Sequence, residues 1–183
     1  RQWPQPSTAL FLFLRIPSSS TTKGCDRVTL HQAVISFALV AGLVLSCGYL
    51  GWSLLAKHLV ERDAGRALAA MGLADAPRFS VPMPFNTLLW RVVAMTPQGY
   101  VVGDRSLWAD HGPMRFTGHP SNVQALRQAA AIPAVARLQW FNRGFMRAQV
   151  RDGELVLSDL RMGLEPDYNF SFAVAHEQGG RWA

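Results

Sequence analysis

The sequence predicts an α+β protein: one transmembrane helix, an amphipathic helix behind it, and an antiparallel sheet domain with one or two helices. Three observations predict it. Val28 to Ala56 are 29 consecutive residues without Lys, Arg, Asp or Glu. After Pro84 the apolar pattern changes from a helical period to alternation. Two turn sequences, Thr96-Pro97-Gln98-Gly99 and Arg151-Asp152-Gly153, sit between runs of strand-forming residues. The chain divides accordingly into an unassigned segment 1–27, a transmembrane helix 28–56 and a domain 57–183.

The charge-free run is long enough to cross a membrane. A hydrocarbon layer needs about 20 apolar residues in a helix, and 29 residues rise roughly 43 Å. Tyr49 and Trp52 stand near its end, just before Lys57 and His58, as interfacial anchors do. Ala38, Gly42 and Ser46 recur every four residues and share one helix face. Such small-residue stripes let a second helix approach closely within lipid, so these three are the candidate helix-packing residues. Basic residues flank both ends (Lys23 and Arg27, then Lys57, Arg62 and Arg66), which leaves orientation open.

From Ser53 to Leu73 the helical pattern continues but becomes amphipathic, until Gly72 and Pro77 end it. Leu88–Met95 and Tyr100–Leu107 flank the Thr96–Gly99 turn as a hairpin, and Pro113–Thr117 reads as a short third strand. Asn122–Ala131 reads as a helix capped by Ser121 and stopped by Pro133. Leu138–Val150 and Glu154–Leu160 form a second hairpin about Asp152-Gly153. Tyr168, Phe170, Phe172 and Val174 alternate with smaller residues, giving the last strand an aromatic face. Trp90, Trp108, Trp140, Phe141 and Phe145 are expected in the core.

The net charge of +6 divides evenly, +3 before Lys57 and +3 after it. A domain whose signs are interspersed lacks the concentrated basic patch that nucleic acid requires, so no nucleic-acid partner is expected. Residues 57–183 contain no cysteine, which excludes a disulfide scaffold and a cysteine-ligated metal there.

Candidate chemistry is sparse. His111 and His119 stand in HGPMRFTGHP, but two histidines without adjoining carboxylates make an incomplete metal site. One dense polar cluster remains, in which Asp159, Glu165 and Asp167 with Arg161 occupy nine residues at the end of a strand. Paired carboxylates can move protons, so these three are the candidate catalytic residues. The plainer alternative pairs Asp159 with Arg161 and leaves Glu165 and Asp167 exposed. Arg91, a charge inside the apolar strand LLWRVVAM, either faces outward or pairs with Asp104 across the hairpin.

The runs PFNTLLWRVVAM (84–95), RLQWFNRGFMR (137–147) and LSDLRMGLEPDYNFSFAV (157–174) resemble a bacterial family. These are the membrane-bound metal-dependent hydrolases of the YdjM type, also called LexA-binding inner-membrane hydrolases. The resemblance runs from about Val28 to the end. It implies the last span and accessory domain of an inner-membrane hydrolase, with the lipid bilayer and further transmembrane helices as partners. It also implies a divalent metal held by His and Asp residues of an N-terminal half that these residues do not match. No metal ligand therefore carries over to any residue here, and no bound cofactor is expected. Residues 1–27 match no part of that half and are read as a shifted reading frame or a misassigned start. A non-catalytic, membrane-anchored interaction module is the alternative.

Overall fold

The computed structural model describes residues 26–183, with side chains from 31 onward, so the expectations for 1–25 lie outside the described residues. The described residues divide into two units, the first ending at Gly48 and the second running Tyr49–Ala183. Helix α1, Asp26–Ala70, runs without interruption through 45 residues, about 67 Å at 1.5 Å per residue. Among the described residues it is the one helix long and apolar enough to cross a membrane. Almost every residue from His31 to Leu50 is exposed, Ala38, Gly42 and Ser46 among them. An apolar surface of this extent needs lipid or other helices to cover it.

Within the second unit the helix changes character. Ala56, Val60, Ala64 and Leu68 recur at intervals of four, and each is fully buried. Side chains four apart lie one above another, so these four form one ridge against a sheet. A Schellman motif ends the helix: Leu73 N–H donates to Leu68 O at 2.8 Å and Gly72 N–H to Ala69 O at 3.0 Å. Gly72 takes the left-handed conformation (φ 75°) that this motif requires.

The sheet beneath α1 has the order β1-β2-β3-β4, all antiparallel. Its strands are β1 (Arg78–Pro82), β2 (Leu89–Thr96), β3 (Gly99–Ser106) and β4 (Thr117–Pro120). Alternation divides its faces. Trp90 and Val92 pack on Ala56, Val60 and Ala64, while Ala94 and Val101 pack on Leu68. Val93 and Tyr100 point to the other side and meet Leu160.

A second antiparallel sheet follows, with the order β5-β6-β7-β8: Met146–Arg151, Glu154–Asp159, Ser171–Gln178 and Arg181–Trp182. Helices α2 (Val123–Gln128) and α3 (Pro133–Phe141) cover it. Ala125, Ala129 and Val135 pack there on Met146, Ala148, Leu155, Leu157 and Ala175. Arg147, between Met146 and Ala148, therefore belongs to the opposite face.

The α+β class stands, but with two four-stranded sheets in place of one, and several elements differ from expectation. Strand β1 joins the first sheet. The short strand starts at Thr117, where the predicted Pro113–Thr117 ends. Asn122, not Ser121, caps α2, accepting from Ala125 N–H at 3.0 Å. Pro133 opens α3 instead of only closing α2, since proline suits the first helical turn, where its missing N–H would have no partner. Helix α3 consequently takes Leu138–Phe141 from the predicted strand, which begins only at Met146. Trp108, Trp140 and Phe141 lie outside the core as exposed side chains.

The α1 ridge supplies a direct test. Leu68→Ala empties a fully buried site and should cost about 2–5 kcal/mol. The neighbouring exposed Ala69→Gln should stay within about 0.5 kcal/mol of wild type in the same denaturant titration.

Candidate functional site

The segment Leu160–Phe170 between β6 and β7 carries the predicted carboxylate cluster, and its backbone divides that cluster. Gly163 (φ 118°) bridges to Tyr168, and a Cβ on it would stand 2.8 Å from Asn169 N and 2.9 Å from Tyr168 Cα. The segment thus folds back where only glycine fits. Asp159 lies at one end, mostly buried, and accepts from Arg161: Nη2 to Oδ2 at 2.7 Å and Nε to Oδ1 at 3.0 Å. Arg161 also donates to Phe141 O at 3.3 Å and lies over the Phe141 ring at 5.0 Å. Asp167 is exposed.

Glu165 does not lie exposed, as its plainer reading had it. It turns inward against Arg147, whose Nη1 donates to both carboxylate oxygens at 3.0 Å. Arg147 Nη2 donates to Pro166 O at 3.2 Å, and its guanidinium lies 4.9 Å over the Tyr168 ring. The buried Tyr100 hydroxyl donates to Glu165, and Tyr168 donates to Tyr100 at 3.4 Å. A polar knot thus joins β3, β5 and the β6–β7 segment. Burial above all pushes the Tyr100 phenol far up, and its hydrogen bonds with Glu165 and Tyr168 add to this. Burial likewise raises Tyr168, opposed by its bond to Tyr100. These are conditions for keeping phenols neutral, not for poising an acid or base near neutral pH.

A mainly apolar space lies on the Asp159 side of this division. There α3, β6, β7 and Met162 line an open cavity of about 450 Å³. Leu138, Phe141, Leu157, Met162, Phe170 and Phe172 make its walls apolar, and Asn142, Ser158, Asp159 and Arg161 supply polar atoms. Ser158 Oγ and Ser171 Oγ bond each other at 2.7 Å, so their hydroxyls are already matched. The volume and the mainly apolar walls fall in the range of small-molecule sites.

Other candidates resolve more simply. Arg91 pairs with Asp104 through two bonds, of 2.7 and 2.9 Å, across a directly opposed register. His119 lies on β4 and stacks on Tyr100 with ring centroids 5.4 Å apart. His111 lines a separate recess with Asp104, Arg105, Asp110 and Arg115. No three His, Cys, Asp or Glu side chains gather to hold a metal among the described residues. Asp159 and Glu165 already accept from arginines, so this donor set does not fit a metal ion.

Comparison with family models, with curated proteins and with solved structures gives no match to this chain.

Sequence reasoning missed Arg147 and Tyr100. Arg147 carried little signal, because Met146–Arg151 alternates apolar and polar residues and Arg147 reads there as an ordinary outward-facing charge. Its partner Glu165, 18 residues away, could not be inferred from spacing.

Arg147 and Glu165 side chains are 6% and 23% exposed. Arg147→Met should therefore cost about 3 kcal/mol, the lower end for a broken buried pair. Arg147→Met with Glu165→Gln should recover part of that loss, a double-mutant cycle measured by denaturant unfolding. The two phenols predict alkaline sensitivity. They stay neutral in the fold while unfolded tyrosines ionise near pH 10, so their stabilisation is present below pH 10 and is lost as pH rises above it. Stability should fall there by up to about 1.4 kcal/mol per pH unit for each phenol. Tyr100→Phe with Tyr168→Phe should flatten the slope.

Proposed function

We propose that this chain is the final span and accessory domain of a bacterial inner-membrane protein resembling the metal-dependent hydrolases. In this reading the domain is a non-catalytic binding module, and the metal belongs to another part of the full protein. One observation carries the reading: the apolar cavity between α3, β6 and β7. Of the three carboxylates considered for catalysis, Asp159 and Glu165 are held by arginines and Asp167 is exposed. The cavity takes an apolar group, and the Asp159–Arg161 pair contributes no net charge to it. A neutral ligand or substrate segment fits that lining better than an ion.

A stand-alone interaction module is the second reading, and the edge of β7 favours it. Strand β8 pairs with β7 only at Glu177 and Gln178, with further backbone bonds between His176 and Ala183. Ser171–Val174 consequently has no strand partner on that side among the described residues, and Phe172 is exposed there. An extended peptide could add to such an edge.

A small apolar photoprobe, an adamantane diazirine, tests the first reading on the full chain in lipid nanodiscs. Peptide mapping should find label on Phe141, Phe170 or Phe172, and Met162→Trp, which fills the rim, should abolish it. Labelling of these residues that persists undiminished in Met162→Trp would refute the cavity as the site, as would its absence from the wild-type protein.

A further inference from the structure

The loops at one end of the first sheet carry large apolar side chains that the fold holds in the open. Phe85, in the β1–β2 loop, is fully exposed, and Trp108, just after β3, is 83% exposed. Leu88 is exposed beside them. All three belong to the same end, because Leu89 opposes Ser106 in the register and Leu107 N–H donates to Leu88 O at 2.8 Å.

This exposure is built, not incidental. Asn86 N–H donates to Met83 O at 3.0 Å, and Asn86 Oδ1 accepts from Leu88 N–H at 2.8 Å and Leu89 N–H at 3.2 Å. Between these bonds Phe85 is held at φ 59°. That conformation is unusual for a bulky residue and persists only where the surroundings impose it. On the facing helix, Trp52 Nε1 donates to Thr87 Oγ1 at 3.3 Å. Trp52 is about 40% exposed and belongs to the charge-free run that ends at Ala56. Trp90 packs on Ala56 just beyond it.

The geometry points to a second membrane contact, in which Phe85, Leu88 and Trp108 dock into the bilayer interface beside Trp52. The argument is continuity. Trp52 stands about one turn before the apolar run ends at Ala56, and Trp favours the lipid–water boundary. The loop bonded to Trp52 therefore stands at the depth of that boundary, and its exposed Phe and Trp are the residue types that partition there. The opposite end of the same hairpin, Thr96–Gly99, lies about 25 Å away at 3.4 Å per residue and carries polar Thr96 and Gln98. The end of the first sheet beside Trp52 thus carries large apolar side chains next to the exposed polar Asp110 and His111, a mixture suited to an interface, and the other end is polar.

This contact rests on the membrane reading of α1 and is independent of the cavity. Spin labels on the full chain in phospholipid nanodiscs test it. Cys25→Ser with Cys47→Ser is the background, and the label is placed in turn by Phe85→Cys, Trp108→Cys, Gln98→Cys and Leu43→Cys. Labels at 85 and 108 should show a severalfold higher ratio of oxygen to nickel-chelate accessibility than the label at 98. Equal ratios at 85, 108 and 98 would overturn the docking. Labels at 85 and 108 reached by neither probe would also overturn it, in favour of a protein partner. If the label at 43 behaved as water-exposed, the membrane reading itself would fall, and the docking with it. The unlabelled chain gives a second measurement. Lipids brominated near the headgroup should quench Trp108, so Trp108→Phe should lower the quenched fraction of tryptophan emission, and an unchanged fraction would overturn the proposal.

Discussion

The ridge Ala56–Val60–Ala64–Leu68 on the first sheet is the contact from which the rest of the second unit follows. Two of its four side chains are alanines, so the helix backbone lies close over Trp90 and Val92. This closeness fixes the helix along the sheet, and the Schellman turn at Gly72 then returns the chain to start β1. The same ridge sets which end of the sheet lies near Trp52. One helix therefore presents two surfaces of different chemistry: an apolar one suited to lipid up to about Ala56, and a narrow stripe suited to a sheet beyond it.

The far side of the first sheet is joined to the second by a layer that is apolar at Val93 and Leu160 and polar at Arg147, Glu165, Tyr100 and Tyr168. A charge pair in such a layer gives little net stability, because desolvation offsets much of the Coulombic attraction. Its effect is on geometry. Arg147 draws Glu165 inward on one side of the Gly163 fold, and Asp159 stays with Arg161 on the other. The cavity lies on the Asp159 side of that fold, where α3, β6, Phe170 and Phe172 supply its walls. Two side chains that look alike in sequence thus have different roles: one braces the two sheets and the other borders an apolar space.

Much of the architecture was legible in the sequence where local rules govern. The charge gap gave the long helix, Thr96-Pro97-Gln98-Gly99 gave the first hairpin, and Asp152-Gly153, both with positive φ, gave the second. Local rules failed where one residue serves two signals. Pro133 can stop a helix or start one, and in the chain it starts α3. For the candidate site, only the Asp159–Arg161 pair was foreseeable, since those residues are two apart. Exposure misled as well: Trp108, Trp140 and Phe141 are core types by composition, yet whether an aromatic is covered depends on which elements pack over it.

By itself, then, the sequence determined the long apolar helix, the antiparallel α+β class and the two hairpin turns. Hydrophobic run length, period and turn chemistry act over a few residues and need no partner from afar. Only the tertiary structure decided that there are two sheets, that Glu165 belongs to Arg147, and that the exposed Phe85 and Trp108 share an end with Trp52. The last two join residues 18 to 56 positions apart in the chain, and no local energy term connects them until the α1 ridge and the Gly163 fold bring them together.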